Sequence, residues 1–123
     1  KNLVMLQFYN VLGSSIFLAI NMKFKKINIV GTDHSWFNDI EINENNELCR
    51  REQHFYDTDT QQPLRPIIDP VSMKKQKMGD FFMALSKIFY SYDLLNEYSK
   101  TMNSEIVNIS EYSYIDAFRR KKI

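Results

Sequence analysis

Glycine is scarce in this 123-residue chain, with only Gly13, Gly31 and Gly79. Three scattered glycines cannot build a Gly-rich phosphate cradle, and neither a G-x-G-x-x-G nor a Walker A pattern occurs. Cysteine is scarcer still. Cys49 stands alone, so no internal disulfide forms, and a reducing, cytoplasmic compartment is expected. No apolar run approaches the roughly 18 residues of a membrane span; the longest is Ile16-Phe17-Leu18-Ala19-Ile20. No charge of one sign dominates: sixteen basic residues against fifteen acidic ones leave +1, which excludes nucleic acid as the default partner. A secretory leader pattern is missing. The chain opens on Lys1 within an apolar run, Leu3-Val4-Met5-Leu6, which suggests a fragment of a longer protein.

What is present is ordinary for a globular protein, 44% hydrophobic and 25% charged, which argues against wholesale disorder. Apolar residues recur at helical spacing from about Asn10 to Met22 (Val11, Leu12, Ile16, Ala19, Ile20). Lys26-Ile27-Asn28-Ile29-Val30 then has the short β-branched character of a strand and stops at Gly31. The pattern breaks over about 33–72, a long excursion of the kind that is usually functional. Within it, Asn38 to Glu47 reads as a solvated loop and Leu48 to Tyr56 as a short strand, and no regular element is expected through Pro63, Pro66 and Pro70.

A long helix follows. Met78, Phe81, Phe82, Leu85, Ile88, Phe89, Tyr92 and Leu95 form one apolar stripe, bounded near Gly79 and Asn103. Glu105 to Ile109 predicts a second strand, and Ser110 a cap for a last helix over Tyr112–Arg120. Helix, strand, excursion, helix, strand, helix is the alternation of an α/β protein: a Rossmann-like parallel sheet with flanking helices. Residues 1–123 then form a single α/β domain or the C-terminal portion of a larger one. Two strands are too few for a complete sheet, so further strands are expected from missing sequence or from a second chain.

Open parallel sheets bind ligands beyond the carboxyl ends of their strands. There the first strand runs into Gly31-Thr32-Asp33-His34-Ser35-Trp36. Gly31 permits a sharp turn. Asp33 is a candidate to accept from a sugar hydroxyl, to hold a metal or to order the loop, and His34 is a candidate acid/base or ligand. Asp and Ser after a strand also cap turns, so a structural role stays open. Trp36-Phe37 offers either an anchor for the loop or a stacking surface. A second cluster, His54-Phe55-Tyr56-Asp57-Thr58-Asp59, joins an imidazole to two carboxylates and a phenol in six positions. It suits a base leaning over the strand end or a divalent-cation site through Asp57 and Asp59, with a solvated turn as the plain alternative. Arg50-Arg51 and the terminal Arg119-Arg120-Lys121-Lys122 are expected in solvent, the latter a weak contact for an anionic membrane surface at most.

The stretch from Ile16 to Asp33, with its apolar helix, the Met22-Lys23-Phe24-Lys25-Lys26-Ile27 entry and Gly31-Thr32-Asp33, resembles bacterial lipooligosaccharide sialyltransferases. It is similar also to the MptE-like (hydroxymethylpterin diphosphokinase-like) group, in which Gly-x-Asp-His/Phe-Ser is placed alike. Asn108-Ile109-Ser110 with Ser113-Tyr114-Ile115-Asp116-Ala117-Phe118 resembles the shared end of these domains. The likeness touches about half the chain. It implies a Rossmann-like domain binding a nucleotide-activated donor such as a CMP-sugar, without a required cofactor, in surface polysaccharide synthesis. It also implies His54 as the base on a glycan acceptor hydroxyl, Gly13-Ser14 lining the donor site, and Tyr56 substituting for a phosphate-contacting tyrosine whose place Ser35 takes. The diphosphokinase-like alternative implies Mg²⁺ held by Asp33, Asp57 or Asp59.

Overall fold

The computed structural model describes residues 8–51 and 63–122. Its elements are α1 (Val11–Asn21), β1 (Lys26–Ile29), β2 (Ile40–Ile42), β3 (Leu48–Arg51), β4 (Leu64–Pro66), α2 (Met78–Thr101), β5 (Glu105–Asn108) and β6 (Arg119–Arg120). They divide into two compact units, Lys1–His34 with Ala84–Ile123, and Ser35–Met83. The protein is mixed α/β: a small parallel sheet packed with two helices, and a separate antiparallel sheet.

In the first unit the strand order is β1-β5-β6, all parallel. Ile27 lies beside Ile106 and Ile29 beside Asn108. Ile106 and Val107 are both buried although they point to opposite faces, the signature of a strand covered on two sides. Both helices run against the strand direction. Asn10 meets Tyr92 at one end and Tyr98 meets Asn21 at the other, so α1 and α2 lie side by side. Ile16 and Ile20 from α1, Tyr92 and Leu95 from α2, and Ile29, Ile106, Ile115 and Phe118 make the core. The helix ends follow local chemistry. Asn10 is extended and its Oδ1 accepts from Gly13 N at 2.9 Å, an N-cap. Lys23 and Asn103 take left-handed φ values of 67° and 52° just past α1 and α2, the conformation that closes a helix.

The expected last helix does not form. After β5 the chain is irregular and then adds Arg119–Arg120 as a third parallel strand, with Lys121 N donating to Asn108 O at 3.1 Å. Short polar side chains intercept the backbone groups a helix would need. Asn108 Oδ1 accepts from Ser110 N at 3.0 Å, and Ser113 Oγ accepts from Ile115 N at 3.1 Å. Ser110 is buried rather than capping. Phe82, expected within the apolar stripe, is 48% exposed while its neighbour Phe81 is buried, because adjacent helical positions diverge by about 100°.

The second unit holds the antiparallel order β2-β3-β4. The stretch expected as a solvated loop makes a hairpin instead. Asn43 Oδ1 accepts from the N–H groups of Asn45 and Glu47 at 3.1 and 2.9 Å, and Asn46 turns through φ 57°. Pro66 ends a strand rather than excluding one. β4 lies at the edge of its sheet, where a missing N–H is tolerated, and Ile67 N resumes bonding to Leu48 O at 2.9 Å. Cys49 is wholly buried.

Ile20 has no exposed surface and sits between α1 and the sheet. Ile20→Ala is expected to lower stability by about 3 kcal/mol, read from urea unfolding midpoints. A change under about 1 kcal/mol would mean the α1 interface is not core.

Candidate functional site

Because α1 runs against β1, its N-terminal turn reaches the end of the sheet where Gly31-Thr32-Asp33-His34 leaves β1. Gly31 has φ +66°, and an added Cβ would meet nothing within 4 Å, so glycine is required there by conformation rather than by space. His34 takes φ 56° as well. That backbone costs a non-glycine residue on the order of 1 kcal/mol, and the ring's hydrogen bond offsets it.

His34 is only 7% exposed, and its Nε2 lies 2.5 Å from the hydroxyl of Tyr92, which is fully buried. Asn10 Nδ2 donates to the same hydroxyl at 2.8 Å. Burial pushes the Tyr92 phenol up to about 12, with the Asn10 bond pulling the other way. Burial also lowers His34 below the ordinary imidazole value of 6.5, and the Asp33 carboxylate opposes that in part. Near neutral pH the phenol is therefore protonated and the imidazole neutral. With Asn10 donating, the phenol's own proton points to Nε2, which assigns the imidazole proton to Nδ1.

A second set of bonds stitches this loop to the one after β5. Thr32 N and Thr32 Oγ1 lie 3.2 and 3.1 Å from Ser110 Oγ, Ser113 Oγ donates to Thr32 O at 2.5 Å, and Tyr114 N donates to Asp33 O at 2.8 Å. Asn108, without exposed surface, holds the second loop from beneath. Its Nδ2 donates to Ser113 Oγ at 2.9 Å while its Oδ1 takes Ser110 N. Arg120 clamps the outside, donating to the carbonyls of Ser113, Ser110 and Glu111 at 3.0, 2.9 and 3.2 Å. These bonds tie the two loops into one floor, on which Asp33 is an exposed residue. Beside it, a shallow groove of about 370 Å³ runs between α1 and β1, from Ala19 and Ser15 up to Thr32.

Of the strand-end residues, His34 reaches the start of α1 through the Tyr92 hydroxyl it shares with Asn10, and Thr32 lines one groove with Leu12 and Ser15. Gly13 is buried with its N–H held by Asn10, and Ser14 is exposed. Ser35 and Trp36 open the second unit, where Ser35 O accepts from Asn38 N at 2.8 Å. His54, Tyr56, Asp57 and Asp59 lie outside the described residues. Sequence reasoning missed Asn10, Tyr92, Asn108, Ser113 and Arg120 as site residues. The available signal was the polar Asn108 closing β5 directly after the apolar Ile106 and Val107. Tyr92 carried no such signal within its aromatic stripe.

Among the described residues, no group of three His, Cys, Asp or Glu side chains is placed to hold a metal ion, and no helix is long and apolar enough to cross a membrane. Comparison of the chain with protein-family models, with curated proteins and with solved structures found no match.

Protonating His34 forces a buried cation against the Tyr92 hydroxyl. Its folded pKa lies below its unfolded value, so the unfolded chain binds more protons in the window beneath about pH 6.5. Stability is full above that window and falls as pH drops through it. Thermal unfolding between about pH 8 and pH 5 should show a steeper loss in the wild type than in His34→Gln, which keeps an acceptor for the phenol but cannot titrate. Parallel profiles would contradict the buried neutral imidazole.

Proposed function

We propose that this chain carries the C-terminal portion of a Rossmann-like, sialyltransferase-like glycosyltransferase that uses a nucleotide-activated sugar in bacterial surface polysaccharide or lipooligosaccharide synthesis. The reading is supported chiefly by one observation. Two loops at the carboxyl ends of adjacent parallel strands are locked together by Thr32, Ser110, Ser113 and Asn108, and an exposed carboxylate, Asp33, stands on that floor. Such ends are where open parallel sheets bind ligands, and a group held on a rigid support positions a substrate at low entropic cost.

In this proposal Asp33 orients an acceptor hydroxyl and His54 removes its proton as the new C–O bond forms at the anomeric carbon. The bond from that carbon to phosphate breaks, and the nucleotide leaves with the electron pair. Charge on the leaving phosphate is met by loop hydroxyls and by Tyr56, the roles the family resemblance implies, while Gly13, Ser14, Gly31 and Thr32 serve the donor. His34 is a positioning residue, since its Nε2 is engaged by Tyr92 below the floor. The reaction needs no cofactor, and the enzyme works in the cytoplasm, at the inner membrane surface where the acceptor is built.

Isothermal titration with CMP tests the reading. Binding that survives a chelator is expected. Asp33→Ala and His54→Ala should each lower transfer by about 100-fold or more, with His54→Ala still binding CMP. Magnesium-dependent ATP binding without CMP binding would favour diphosphokinase chemistry instead. Unchanged activity in both variants would make the chain an assembly module.

A further inference from the structure

Unlike α2, helix α1 carries no charged residue anywhere along Val11–Asn21. A helix apolar on every side belongs in an interior. One side of α1 is covered: Ile16 and Ile20 are buried in the core, and Phe17 stacks on Tyr98 of α2. The opposite side is open. Val11, Leu18 and Met22 fall on one line at helical spacing, and they are 81%, 60% and 62% exposed. Ser15 lies on the same line and donates its hydroxyl to Val11 O at 2.9 Å, so it needs no water and tolerates an apolar cover.

An unfinished sheet edge lies beside this stripe. In the order β1-β5-β6, β1 has a neighbour on one side only among the described strands. Glu105 N donates to Lys25 O and Ile109 N to Ile29 O, both at 2.9 Å, so alternate residues of β1 bond toward β5. Lys26, Asn28 and Val30 fall between them and aim their N–H and C=O groups outward. All three are exposed, and no proline blunts the edge. The groove of about 370 Å³ joins the two features, with Ser15 and Ala19 on its helix side and Asn28 and Val30 on its strand side.

A highly charged partner would meet almost no counter-charge here, and a lipid surface cannot satisfy the hydrogen bonds of a strand edge. What fits is a strand with an uncharged helix beside it, and the chain itself is such a unit. An antiparallel pair centred on Asn28 sets Lys26 opposite Val30 of the second copy, which keeps the two lysines apart. Three facing pairs with two bonds each supply about six backbone hydrogen bonds. Because Ser15 and Asn28 line the same groove, the two-fold axis that relates the strands also crosses the helices near Ser15 and Ala19, whose small side chains allow an approach of about 8 Å. The two elements offer on the order of 500 Å² per copy, about 1,000 Å² in all, the lower limit of a specific interface. We infer that this chain self-associates through α1 and the free edge of β1, forming a two-fold dimer in which one sheet runs through both copies. The inference is independent of the function proposed above.

Sedimentation velocity on the full 123-residue chain, from about 5 to 500 μM, should show a reversible monomer–dimer equilibrium with a Kd of micromolar order. Amide exchange read by NMR over the same range should slow at Lys26, Asn28 and Val30 as concentration rises, while Ile27 and Ile29, bonded to β5, stay protected throughout. Leu18→Glu, which sets a charge in the uncharged face, should raise the Kd at least tenfold without lowering the melting temperature of the dilute protein. Asn28→Pro removes only an outward N–H and should do the same; if it fails to fold, Leu18→Glu decides alone. A monomer at every concentration would overturn the inference, as would a dimer indifferent to Leu18→Glu. Protection of Asn28 and Val30 already complete in the dilute monomer would mean that the chain covers its own edge, and would overturn it too.

Discussion

A single hydroxyl, that of Tyr92, joins the three segments from which the candidate site is built. It accepts from Asn10, which also caps α1, and it meets Nε2 of His34, which holds the loop leaving β1. Tyr92 itself projects from the middle of α2 into the core, where Phe118 packs against its ring. Its oxygen thus touches a helix start, a second helix and a strand end at once. Both polar groups it serves sit in or beside the core. Leaving either without its bond carries the desolvation penalty of a buried polar atom, so the arrangement holds together or is lost as a set. The strained backbone at His34 has the same dependence, since a left-handed non-glycine residue persists only where its surroundings over-determine it.

Asn108 plays the complementary part from the sheet side. A wholly buried amide at the end of β5 supplies the donors and acceptor that shape the following loop, and that shape in turn presents Ser110 and Ser113 to Thr32. The chemistry of the site therefore begins beneath its surface. The exposed Asp33 sits on a loop whose neighbours Thr32 and His34 are held by the buried Ser110 and Tyr92. The surface ion pair Arg119–Glu105 across β5 and β6, at 2.7 Å and half exposed at both ends, adds little by comparison.

The helices α1 and α2 and the strands β1 and β5 were legible because each has a clean period and a chemical stop, such as Gly31 after β1 or Asn103 after α2. The strand-end cluster was legible for the same reason, as polar residues crowding behind a buried run. What escaped reading depended on side-chain-to-backbone bonds, which leave no periodic trace. Asn43 builds a hairpin in a stretch whose composition suggests solvent. Asn108 and Ser113 abolish a helix whose spacing looks adequate. Tyr92 hid among the aromatics because a phenol in an apolar stripe is indistinguishable from core until its hydroxyl's neighbours, 58 and 82 positions away, are known.

The Tyr92 hydroxyl, not ring packing alone, holds the loop that leaves β1. Urea unfolding of Tyr92→Phe near neutral pH, combined with amide hydrogen exchange at Thr32, Asp33 and His34, isolates that one oxygen. A loss of about 2 kcal/mol and faster exchange at those three amides are expected. A Tyr92→Phe variant as stable and as protected there as the wild type would contradict it.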